Sequence, residues 1–171
     1  MPINRRQALL LIASASGSAL AGIDKTSSQL NSAPLNHRKS EVLVRRVTGI
    51  GGIFFKAKDA PTLQAWYKHH LGIDVQTWGG AAFDWNDSDG KPTGGTTAWL
   101  IAAEKSDQFA PSKASFMVNY RVEDLHALIS ALKAEGCDVL DKIDESEFGK
   151  FGWVIDPEGN KVELWQPPVG K

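Results

Sequence analysis

Cysteine occurs once in the 171 residues, at Cys137. An intramolecular disulfide is therefore excluded, and so is a Cys-rich zinc site. Histidine is scarce too, confined to His37, His69, His70 and His126. Neither charge sign dominates: 19 basic residues face 20 acidic ones, for a net charge of −1. That balance excludes bulk electrostatic attraction to nucleic acid or to an anionic membrane. The stretch GGTTAW lacks the lysine of a phosphate-binding loop, and no nucleophile elbow surrounds any Ser or Cys. The polar run NDSDGK breaks the calcium-loop pattern, because Trp85 and Thr96 fall where its first and last ligands belong. It reads instead as a hairpin loop.

What is present begins with a leader pattern. Arg5 and Arg6 precede an apolar run diluted by Ser14, Ser16, Gly17 and Ser18, and Ala19-Leu20-Ala21 has a small-x-small form. Residues 1–21 are therefore expected to be a secretory signal of twin-arginine type. The expected location is periplasmic or secreted, with no stable membrane anchor after cleavage. The run is too short and polar to span a bilayer. Residues 22–43 are rich in polar residues without apolar period and read as a disordered linker.

A folded domain is expected over residues 44–168. EVLVRRVTGIGGIFFKA reads as strand. Asp59 then caps a helix carrying Leu63, Trp66 and Tyr67 at helical spacing, and Gly72 ends it. The order recurs: SFMVNYRV, then Asp124 as cap, then Leu125, Leu128, Ile129 and Leu132, then Gly136. Each glycine is followed, one residue later, by Asp-Val, at Asp74-Val75 and Asp138-Val139. Further strands close each half. Two internal repeats follow, about 44–110 and 111–168. The fold class is α+β: two βαβββ modules whose sheets curve into a cleft, with helices on the outer face.

These residues resemble the vicinal oxygen chelate superfamily, which includes glyoxalase I, bleomycin-resistance proteins and extradiol dioxygenases. The resemblance rests on IFFKAKDAPTLQAWYKHHLGI and on Asp156-Pro157-Glu158-Gly159-Asn160-Lys161-Val162-Glu163. It implies one divalent metal, held by first-strand and last-strand residues of both modules. The first-strand positions, seven residues before each cap, are Gly52 and Met117. Glycine offers no donor atom, and a thioether suits hard or borderline metals poorly. The last-strand positions are Glu163 in the second half and Thr97 or Trp99 in the first. A single carboxylate does not hold a catalytic zinc. No metal site and no cofactor are therefore expected, with a divalent metal as the alternative.

Strand alternation places Phe54, Phe83, Trp85, Trp99, Met117, Asn119, Glu163 and Trp165 on the expected cleft wall. Aromatic bulk with a few polar groups suits a small organic ligand. Glu163, as a carboxylate among aromatics, is the candidate general base. Three functional classes stay open. One is a small-molecule binding module. The second is a lyase, isomerase or dioxygenase of the superfamily. The third is a non-catalytic interaction domain. The resemblance also implies a homodimer.

Overall fold

The computed structural model describes residues 46–170. The expected leader (1–21), the expected linker (22–43) and the first two residues of the expected domain lie outside the described residues.

The first half begins with β1 (Gly49–Ala57) and α1 (Ala60–Leu71), followed by β2 (Gly80–Asn86) and β3 (Pro92–Ala103). A short 3-10 turn (Asp107–Phe109) leads across to the second half. There β4 (Phe116–Arg121) precedes α2 (Leu125–Ala134), β5 (Asp138–Val139), β6 (Asp144–Ser146), β7 (Gly149–Ile155) and β8 (Lys161–Gln166). All eight strands share one open sheet, ordered β2-β3-β1-β4-β8-β7-β5, with β6 beside β7. The repeat is visible in the pairing. β1 lies parallel to β3 as β4 lies parallel to β8, and β1 meets β4 antiparallel at the seam. The fold is the expected α+β arrangement of paired modules.

The helix signals act where the sequence places them. Asp59 accepts from the Thr62 backbone N–H at 3.1 Å, and Asp124 from that of Ala127 at 3.0 Å. Each bond satisfies a donor that a helix start leaves without an intrahelical partner. Gly72 and Gly136 take left-handed backbone after each helix, at φ 67° and 79°. One strand differs between the halves. Where β5 pairs with β7, the first half instead turns, with Gln76 N–H donating to the Gly80 carbonyl at 2.8 Å. The turn buries Trp78.

Two apolar clusters hold the layers together. Under α2, Leu125, Leu128 and Ile129 pack with Val122 and Leu164. Burying each such side chain contributes roughly 1.5–3 kcal/mol. On the other cluster, Phe54, Leu100 and Met117 come from neighbouring strands and meet Trp78, Phe109 and Trp153.

The Asp-Pro-x-Gly-Asn motif is the turn between β7 and β8. Asp156 Oδ2 accepts from Asn160 Nδ2, while Oδ1 accepts from the backbone N–H groups of Asn160 and Glu158. Gly159 supplies the positive φ of 80°. The Asn160 side chain, and then its backbone N–H, hold the Asp156 carboxyl below its ordinary value of 3.8. A depressed carboxylate stabilises the fold above its unfolded value, and that stability is lost as pH falls through the folded value. Urea unfolding of Asp156→Asn should therefore show a shallower loss of stability than the parent on acidification below pH ~4. Equal acid sensitivity in the two proteins would refute this role for the turn.

Candidate functional site

One row of residues crosses five strands. Register aligns Ala98 on β3, Gly52 on β1, Asn119 on β4, Glu163 on β8 and Trp153 on β7. Residues opposite one another in a sheet share a face, so one side of the sheet gathers these groups. Asn119 and Glu163 are the buried polar residues of the row, 3% and 4% exposed.

Glu163 is held from two sides. Its Oε1 accepts from Asn119 Nδ2 at 2.9 Å and its Oε2 from Trp153 Nε1 at 2.8 Å. Two N–H donors offset the desolvation of a buried carboxylate. The donation also fixes the Asn119 amide, since only Nδ2 can serve an acceptor. Asn119 Oδ1 is left facing β1, where glycine makes the room. A Cβ on Gly51 would stand 2.1 Å from Asn119 Oδ1 and 2.8 Å from Trp165. Gly51 lies at an irregularity in the β1–β4 ladder, between Ile50 and Gly52.

Over this row lies a cavity of about 330 Å³. Its walls are largely aromatic, from Phe54, Trp78, Phe151, Trp153 and Trp165. Asn119, Gln108, Lys161 and Glu163 supply polar lining. Two cations flank Trp153: Lys161 Nζ at 5.1 Å and Lys142 Nζ at 5.8 Å from the ring centre. Lys161 Nζ also donates to the Gln108 carbonyl at 3.0 Å, and Lys142 pairs with Asp144 at 3.1 Å.

Of the wall expected from sequence, Phe54, Asn119, Glu163 and Trp165 line this cavity. Met117 is wholly buried beside Phe54, in the core behind it. The other three lie elsewhere. Trp99 pairs with Ile53 and packs edge-on against Phe55 and Tyr67, on the side covered by α1. Phe83 is 44% exposed on β2. Trp85 donates to Thr97 Oγ1 at 2.8 Å and lies under the Arg121 guanidinium, 5.5 Å away. Burial pushes that guanidinium below its ordinary value. The displacement on β3 is a one-residue matter. Ala98 and Leu100, not Thr97 and Trp99, are level with Gly52 and Phe54, and a slip of one residue exchanges the faces.

Sequence reasoning missed Trp78, Gln108, Phe151 and Trp153. For Trp153 a signal existed: counting outward from the Asp156–Gly159 turn sets it opposite Glu163. Trp78 sits in an irregular turn, where no period applies.

A divalent metal does not fit this donor set. Among the described residues no three His, Cys, Asp or Glu side chains converge. Both Glu163 oxygens already accept from N–H groups, and Gly52 and Met117 occupy the first-strand positions.

The paired repeats, the open sheet and the cavity over its seam define a vicinal oxygen chelate fold. Residues 52–165 match the glyoxalase-like domain family, and the chain belongs to it. Among solved structures, methylmalonyl-CoA epimerase from Mycobacterium tuberculosis is 18% identical, with a TM-score of 0.50 over 75% of this chain and 94% of that one. A Streptomyces coelicolor methylmalonyl-CoA epimerase variant bound to 2-nitronate-propionyl-CoA is 17% identical, with a TM-score of 0.52 over 72% of this chain and 99% of that one. At such identities the likeness is one of fold. No curated protein matches the sequence.

Proposed function

We propose that this domain binds a small organic molecule in the cavity, without a divalent metal. The observation that carries this reading is a cavity of about 330 Å³ that joins the aromatic walls of Phe54, Trp78, Phe151, Trp153 and Trp165 to polar lining from Asn119, Gln108, Lys161 and Glu163. The volume and aromatic lining match those of small-molecule sites. In this proposal the domain works outside the cytoplasm, carried there by the leader that contains Arg5 and Arg6.

Tryptophan fluorescence tests the reading directly, because Trp78, Trp153 and Trp165 all line the cavity. Purified protein titrated with single-ring aromatics, neutral and charged, should show saturable quenching by at least one of them. Treatment with EDTA should leave that quenching unchanged. Quenching that requires an added divalent ion would overturn the metal-free reading, and no saturable response at all would overturn binding.

A further inference from the structure

We infer that a second copy of this chain packs against the face of β1 and β4 opposite the cavity. The result is a two-fold assembly whose cavities open on opposite sides, each built by one chain. The inference is independent of what the cavity binds.

That opposite face carries an apolar trough. Register sets Ile53 beside Val118 and Phe55 beside Phe116, on the face where Trp99 meets α1. Ile50 pairs with Tyr120, which packs against the cluster under α2. Ile50, Ile53 and Phe116 are 44%, 44% and 45% exposed. They lie on inner strands of the sheet, not on an edge. α1 packs on β3 and β1, and α2 on β5, β7 and β8, so the two helices flank this floor. Trp66 supplies one wall. Gln64 Nε2 donates to the Gly79 and Ile101 carbonyls, on the flank of α1 toward β2 and β3. Trp66 lies about 160° round the helix from Gln64. It therefore stands on the flank toward β1 and β4, and it is 47% exposed.

Size and charge both favour a second copy as the occupant. Ile50, Ile53, Phe116 and Trp66, each nearly half exposed, leave roughly 350 Å² of apolar surface, taking about 150–250 Å² for a large side chain. That is the scale of the largest apolar patch on a monomer, roughly 300–600 Å², which is often functional. A standard interface covers about 800 Å² per partner, of which about 500 Å² is apolar in homodimers. Partly buried Val118 and Tyr120 extend the trough toward that size. A two-fold contact sets one patch against itself, so any charge within it would meet its like. These six side chains carry none. Where the chain enters β1, Arg46 and Glu135 pair with each other.

Sedimentation velocity on the purified full chain should show a dimer at micromolar concentration. Phe116→Glu and Ile53→Glu each bring two like charges into the contact and should weaken association at least about a hundred-fold. Both positions are nearly half exposed, so circular dichroism of the monomers should stay native. Phe83→Glu, equally exposed on edge strand β2, should leave association unchanged. A photoreactive phenylalanine analogue at position 116 tests the same surface without adding charge. It should cross-link to β1, β4 or α1 of another copy. A monomer throughout the micromolar range would overturn the inference. So would a dimer that both glutamate variants leave intact, or one that Phe83→Glu weakens as much. Cross-links from position 116 to residues 1–45 of the same chain would overturn it too, and would name that segment as the occupant instead.

Discussion

Glu163→Ala should destabilise the domain by about 3–5 kcal/mol, measured by urea unfolding at neutral pH. The loss has two sources. Asn119 Nδ2 and Trp153 Nε1, now paired with the carboxylate, would be left as buried donors without acceptors. A void would also open in a site only 4% exposed. Glu163→Gln separates the two sources. It keeps the volume but offers one amide N–H where an acceptor is needed, so it should lose about 1–3 kcal/mol. A loss under ~0.5 kcal/mol for Glu163→Ala would show that the carboxylate behaves as a surface charge.

Gly149→Ala is the second large effect. Gly149 opens β7 at φ 106°, where a side chain is strained. A Cβ there would stand 2.2 Å from the Gln166 carbonyl oxygen and 2.9 Å from Trp165 Nε1. Backbone cannot move aside as a flexible side chain can. Strain and overlap together should reduce stability by about 3 kcal/mol or more. Gly90→Ala is the control: its φ is 78°, but nothing stands within 4 Å of the added Cβ. It should lose about 1–2 kcal/mol. Equal losses at the two positions would show that overlap with Gln166 contributes nothing. The displaced strand also carries Phe151 and Trp153, so any surviving Gly149→Ala protein should bind cavity probes more weakly.

The repeat and the helices were legible because local chemistry specifies them. Asp59 and Asp124 announce helix starts, Gly72 and Gly136 helix ends, and apolar spacing the buried faces. The site was legible where a strand stays regular. Asn119, Glu163 and Trp165 sit on strands of regular alternation, and all three line the cavity. Three kinds of position were not legible. Trp99 shows that alternation fixes two faces without saying which is inward; register with β1 decides. Trp85 lies beside a ladder irregularity between Asp84 and Asn86, where counting by two fails. Trp78 and Gln108 come from a turn and a connector, whose positions depend on long-range packing.

The row across five strands divides labour between the halves. On its strands the first repeat brings Gly51, Phe54, Ala98 and Leu100 to the cavity, without hydrogen-bonding side chains; its polar groups there, Trp78, Asp107 and Gln108, come from a turn and a connector. The second brings Asn119, Trp153, Lys161 and Glu163, which are its donors and acceptors. Among the strands, contour thus comes from the first repeat and polar side chains from the second. Substitutions at Ala98 or Leu100 would therefore reshape the cavity without removing a hydrogen-bonding side chain.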